Sequence, residues 1–304
     1  MAKWTSKNMP PQHGRTALVT GTGGLGYEDA MALARAGARV VLAGRNPEKG
    51  NKAVAAIRES VPGAQVRYGK VDLANLASIA EFVAEFQQNQ ESLDILINNA
   101  GVMTPPQRRE TADGFELQFG TNYLGHFALT GCLLPMLMNG RNPRVVTLGS
   151  VAARGGKIDF GDLQAKDKYR AMPVYSQSKL ACVMFALELD RRSKAKGWGI
   201  ESMAAHPGIS RTDLLANGAG QNSTAAKMRR WFPFLFQPVW KGALPTLFAA
   251  TDPSAGGGQY YGPDRLGGTR GYPTLEKPPL NALDKQAAAR LWDISEQLTD
   301  VTFP

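Results

Sequence analysis

The feature that most limits how this chain can fold is Gly21-Thr22-Gly23-Gly24-Leu25-Gly26, a Gly-x-Gly-x-x-Gly run. It lies between a β-rich segment, residues 15–20, and a stretch of helical apolar spacing, residues 27–36. Glycines at these intervals let the backbone turn sharply and approach a pyrophosphate, whose charge the free amides and positive end of the following helix stabilise. A second strand, residues 39–43, follows Gly37, so the segment has the length of a right-handed βαβ unit.

The alternation continues with helix 47–60, strand 65–71, helix 75–88, strand 93–97, helix 111–137 and strand 144–148. A helix opening near Tyr175 and strand 199–205 follow. This order predicts an α/β fold, a Rossmann-type doubly wound parallel β-sheet flanked by helices and buried on both faces. Beyond Asp213 the regularity fails until a helical segment at 242–250, a short strand at 259–261 and a C-terminal helix at 283–298. With no internal repeat or linker, residues 1–304 read as one dinucleotide-binding domain. Residues 1–14 form a polar leader, and about 210–241 an irregular helical lid.

Composition removes other classes of function. Lysine and arginine exceed acids by nine, but the basic residues are scattered, which argues against nucleic acid as a partner. Cys132 and Cys182 lie in apolar helical patterns without metal-type spacing and read as reduced, buried thiols. No run approaches the ~20 apolar residues of a membrane span. A cytoplasmic location without an integral membrane segment is expected, and no metal site.

In an open parallel sheet the ligand crevice lies at the carboxyl ends of the strands. After the second strand stands Gly44-Arg45-Asn46, where a guanidinium suits a ribose 2′-phosphate in charge and bidentate geometry, so NADP(H) is favoured over NAD. Asp72-Leu73 and Asn98-Asn99-Ala100-Gly101 follow the third and fourth strands, Ser150 the fifth, and His206-Pro207-Gly208-Ile209, with Thr212, the sixth. Tyr175 and Lys179 are four residues apart, one helical turn, which sets phenol and ammonium on one face. A cation beside a phenol favours its charged form, the requirement for a general acid/base. One by one these residues also have plain structural readings: a glycine turn, a solvated arginine, a strand-end serine, a tyrosine packed near a lysine. His126 reads as a core residue or one that backs the site without touching the substrate.

Taken together, the glycine loop, Asp72, Asn98 to Gly101, Asn122, Ser150, Tyr175/Lys179 and Pro207-Gly208 resemble the short-chain dehydrogenases/reductases over most of the chain. Residues 121–127, Thr-Asn-Tyr-Leu-Gly-His-Phe, with 157–160 and 162–164, resemble the branch containing retinol dehydrogenases and protochlorophyllide reductases. The glycine loop is one residue shorter than the usual family form, and two cysteines argue against the photochemical reductases.

The resemblance implies an NADPH-dependent oxidoreductase that interconverts a carbonyl and an alcohol. Tyr175 would donate the proton, Lys179 bind the nicotinamide ribose, Ser150 orient the carbonyl, and Asn122 hold a water leading to Lys179. Gly21, Gly23, Gly24, Leu25, Gly26, Arg45, Asp72, Leu73, Asn99, Ala100 and Gly101 would line the cofactor, with Pro207, Gly208, Ile209 and Thr212 at the carboxamide. Trp231, Phe232, Phe234, Leu235, Phe236 and Trp240 suggest an apolar lid and hence a hydrophobic aldehyde or ketone; Lys227, Arg229 and Arg230 leave a membrane-surface helix or a subunit contact open. A non-catalytic NADP-binding sensor or scaffold and a C=C reductase are the alternative functions, and family members often pair as homodimers or homotetramers through the helices of Asn122 and Tyr175.

Overall fold

The computed structural model describes residues 3–210 and 237–304. Eight strands form one sheet in the order β3-β2-β1-β4-β5-β6-β7-β8. They are β1 (Thr16–Thr20), β2 (Arg39–Gly44), β3 (Val66–Lys70), β4 (Ile95–Asn98), β5 (Arg144–Leu148), β6 (Glu201–Ala205), β7 (Tyr260–Arg265) and β8 (Arg270–Glu276). All neighbours pair in parallel except β7 and β8. The chain order reverses between β2-β1 and β1-β4, so the crevice at a topological switch point opens above the carboxyl end of β1.

Alternation along the strands divides the interior into two cores. Leu18, Val41, Leu96 and Val145 face one core, while Ala17, Val40, Ile95 and Val146 face the other. The second core is closed by α1 (Gly24–Arg35), α2 (Pro47–Ser60) and α8 (Val239–Thr251). Against the first pack α3 (Leu76–Asn89), α5 (Gly125–Cys132), the long α7 (Ala171–Lys196) and α9 (Lys285–Thr299). Trp292 of α9 stacks on Phe185 of α7, and Phe303 lies edge-on to Phe127 of α5, so the C-terminus covers part of both helices. The leader is tied down as well: Trp4 Nε1 donates to Asp252 and its ring meets Phe248 edge-on. Cys182 is buried and Cys132 half-buried, and both thiols are free.

Three elements depart from the sequence-based expectation. The helix expected at 111–137 is broken into α4 (Leu117–Phe119), a π-turn (Gly120–Leu124), α5 and α6 (Leu134–Met138). Its first residues cannot join, because Thr111 Oγ1 accepts from the amides of Asp113 and Phe115 and closes a turn, and Glu116 caps Phe119 instead. α1 starts at Gly24, three residues earlier than its apolar spacing indicates, which places a helix N-terminus inside the glycine loop. Finally, β7 continues into an antiparallel hairpin with β8; Pro263 pairs with Pro273, and prolines hide such an edge hairpin from strand propensity.

Candidate active site

The glycine loop is shaped by contacts that admit no side chain. Gly21 and Gly24 have φ of 97° and 53°, in the left-handed region. A Cβ on Gly26 would stand 2.1 Å from the Gly21 carbonyl oxygen, so this close approach of α1 to the strand end requires glycine. Gly23 differs: a Cβ there would meet nothing within 4 Å, because its Cα borders the open cleft.

That cleft, about 700 Å³, runs from the glycine loop past Arg45 to Asp72, Leu73, Asn99, Ala100 and Gly101. Its floor is braced by Thr20, whose Oγ1 accepts from the Asn99 and Ala100 amides, while Asn99 Nδ2 donates back to the Thr20 carbonyl. Asp72 accepts from Ala74 N through Oδ1 and so shapes the turn after β3. Lys49 and Lys52 of α2 line the cleft beside Arg45, all three exposed. Sequence reasoning missed both lysines; their one-turn spacing on the helix that Asn46 caps was the available signal. Asn98, expected at the crevice with its neighbours, is instead buried between the sheet and α5, where its amide donates to Thr130 and Thr147.

Leu25, Asn99 and Gly101 also line a second, smaller cavity of about 170 Å³, bounded by Ser150, Tyr175, Lys179, Pro207, Gly208 and Ile209. Ser150 caps a short 3₁₀ helix (Val151–Gly155), its Oγ accepting from Ala152 N. Tyr175 and Lys179 lie on α7, 4% exposed each, and the Lys179 ammonium donates to the Leu148 carbonyl at 2.9 Å. α7 therefore opens at Ala171, a full turn before the tyrosine, which leaves Tyr175 and Lys179 inside regular helix.

Asn122 lies in the π-turn and is fully buried. Its side chain grips the backbone of Val102 by both N–H and C=O and donates to Ser178 Oγ. A Cβ on Gly101 would stand 3.0 Å from Asn122 Oδ1 and 3.7 Å from Lys179 Nζ, so the three converge. Gly208, at φ 63°, is pressed against the Thr269 carbonyl, to which Ile209 N donates. Gln237 donates to the Pro207 carbonyl and pairs with Ser210, which itself lines the cavity. Thr212 and the expected lid aromatics Trp231 to Phe236 lie outside the described residues, as do Lys227, Arg229 and Arg230. Trp240 is half-exposed on α8. Among the described residues no His/Cys/Asp/Glu group could hold a metal ion, and no helix is long and apolar enough to cross a membrane.

A doubly wound sheet with a glycine-lined cleft at its switch point and a Ser/Tyr/Lys cavity beside it defines a Rossmann-fold oxidoreductase. The short chain dehydrogenase model matches residues 15–222. The chain is 39% identical to polyprenol dehydrogenase of Mus musculus over 297 residues, 96% of this chain and 85% of that protein. It is 38% identical to human retinol dehydrogenase 13, covering 96% and 86%. A crystal structure of an uncharacterised protein from Mycobacterium paratuberculosis, 36% identical, superposes over the whole of both chains with a TM-score of 0.82. A Shigella flexneri short chain dehydrogenase complexed with NADP shares the fold at 23% identity and a TM-score of 0.64, covering 82% of this chain and 95% of that one. The chain belongs to the short-chain dehydrogenases/reductases, in the retinol dehydrogenase-like branch.

Proposed function

We propose that this oxidoreductase interconverts an apolar alcohol and its aldehyde or ketone with NADP(H), Tyr175 exchanging the proton. The observation that carries the reading is the shared wall of the two cavities. The cleft built for a dinucleotide opens, through Leu25, Asn99 and Gly101, onto the space where Ser150, Tyr175 and Lys179 converge.

The cleft fits the cofactor by its chemistry. Gly23 leaves room for a close backbone approach at the N-terminus of α1, and Arg45, Lys49 and Lys52 supply positive charge where a 2′-phosphate would bind. Gly21, Gly23 and Gly24 would hold the pyrophosphate, Asp72 and Leu73 the adenine end, and Pro207, Gly208 and Ile209 the carboxamide. When bound, the cofactor supplies or accepts the hydride.

The chain's own groups do the rest. Ser150 Oγ already accepts from Ala152 N, which leaves its hydroxyl hydrogen to donate to a substrate oxygen. Tyr175 gives its proton to that oxygen in reduction and takes it back in oxidation. Lys179, anchored by the Leu148 carbonyl, holds a positive charge at the base of the cavity. Asn122 Oδ1, close to Lys179, is the acceptor for a water replenishing the proton. Apolar Leu25, Met103, Val151 and Ile209 line the same cavity, and relatives are named for retinol and polyprenol, both apolar alcohols.

Cofactor depletion measured across aliphatic, aromatic and polycyclic aldehydes and ketones tests the reading, with Tyr175→Phe as control. The variant should bind NADPH as the parent does while turnover collapses. Near-normal turnover in Tyr175→Phe overturns the mechanism, and NADPH binding without turnover of any carbonyl compound favours a sensor.

A further inference from the structure

We propose that His126 is a positioning residue, a neutral imidazole locked with its proton on Nδ1, which ties the floor of the cofactor cleft to the π-turn that carries Asn122. Thr20 Oγ1 has one hydrogen and two lone pairs. The Asn99 and Ala100 amides, at 2.9 and 3.0 Å, can only donate, and they fill both lone pairs. The Thr20 hydroxyl must therefore donate its hydrogen to another atom, and His126 Nε2 at 2.9 Å is a nearer acceptor than the Ile97 carbonyl at 3.3 Å. Nε2 is then the bare nitrogen. The other ring nitrogen faces the Asn122 carbonyl at 2.9 Å, an atom that can only accept, so Nδ1 bears the proton. Both ends give the same tautomer, the reverse of the one a free histidine favours.

The surroundings agree. The imidazole is buried, with Cys182 Sγ donating to the same Asn122 carbonyl and Thr130 Oγ1 to the His126 carbonyl. Burial lowers the His126 pKa to about 4, with the charge of Lys179 acting in the same direction against the hydrogen bond to Asn122. A second ring proton would face Thr20 Oγ1, whose lone pairs are taken. The consequence is a rigid relay of position: the Asn99–Ala100 turn, Thr20, His126 and Asn122 move as one unit. The inference rests on the cleft being the cofactor site.

The chain has three histidines, so two-bond proton–nitrogen correlation spectra of ¹⁵N-histidine-labelled protein resolve each ring. His126 should show a protonated Nδ1 and bare Nε2 that do not change between pH 5.5 and 8.5. A proton on Nε2, or titration within that range, overturns the proposal whether or not the enzyme turns over. His126→Asn keeps a donor near the Nδ1 position and loses the acceptor for Thr20. It should weaken cofactor binding about tenfold, by fluorescence titration with whichever of NADPH and NADH the parent binds, and change kcat less than about threefold. In a Thr20→Val background the same change should add little. Unaltered cofactor binding, or losses that simply add, would remove His126 from the link.

Discussion

Asn122 and Ser178 are joined side chain to side chain: Nδ2 of the buried amide donates to the serine Oγ at 3.0 Å, and that hydroxyl donates on to the Tyr175 carbonyl. The same amide holds Val102 N and O, so the turn after β4, the π-turn and the first turns of α7 share one anchor. Asn122→Ala would leave the half-buried Val102 amide and carbonyl and the buried Ser178 hydroxyl without this partner. A loss of about 2–3 kcal/mol is expected, against about 1 kcal/mol for Ser178→Ala. Denaturant titration measures both, and equal stability of Asn122→Ala and parent would dismiss the anchor.

Three cations line one end of the cofactor cleft, and only Arg45 was picked out by its place after β2. If they read a 2′-phosphate, Arg45→Ala and Lys49→Ala should each raise KM for NADPH about 10- to 100-fold. KM for NADH should stay nearly constant. Equal effects on the two cofactors would show that these cations serve solubility instead.

Two glycines of one loop separate folding from binding. Gly26→Ala would drive a Cβ to 2.1 Å from the Gly21 carbonyl oxygen, a backbone atom that cannot step aside, so the variant should lose several °C in Tm and bind cofactor poorly. Gly23 has extended φ of −140° and empty space around its Cβ position. Gly23→Ala should therefore melt with the parent and still bind NADPH more weakly, since the added methyl enters the cleft. A parallel drop in Tm for both variants contradicts this division.

Two buried groups shape the pH dependence of stability with opposite sign, offsetting each other between pH ~4 and ~6.5 and leaving a decline above that. Asp29 of α1 is fully buried and neither carboxyl oxygen has a hydrogen-bond partner among the described residues. Burial first, and Glu28 second, push its pKa well above the ordinary carboxylate value. The unfolded chain releases this proton above pH ~4 and the folded chain keeps it, so stability declines as pH rises from there toward the folded pKa. Asp29→Asn should stabilise the protein at pH 8 and have little effect near pH 4; a variant no more stable than the parent at pH 8 rejects the assignment. His126, lowered to about 4, works in the other direction: its contribution is intact above pH ~6.5 and is lost as pH falls toward 4, a change of about 3 kcal/mol. The stability lost in His126→Asn should therefore shrink as pH falls from 6.5 to 4 in urea titrations.

The order of the chemistry was legible in the linear chain. A glycine loop between strand and helix, polar residues at the ends of apolar strands, and a tyrosine four residues before a lysine depend on local periodicity and backbone freedom, which neighbouring residues determine. That local logic carried the fold class and brought Ser150, Tyr175, Lys179, Gly101 and Pro207-Gly208 to one cavity. Other features depended on partners distant in the chain. The late start, at Leu117, of the helix expected at 111–137 follows from Thr111 and Glu116 capturing amides that helical spacing had assigned to a ladder, and Asn98 turns away because Thr130 and Thr147 receive it. The β7–β8 hairpin needed a sheet edge to add to. Above all, Gly-x-Gly-x-x-Gly named a phosphate loop by itself, but only the folded chain set Thr20 between two amides and a histidine 106 residues away. A hydrogen bond is decided by atoms within about 3 Å, and sequence spacing carries no information about which atoms those are once the separation exceeds a few turns of chain.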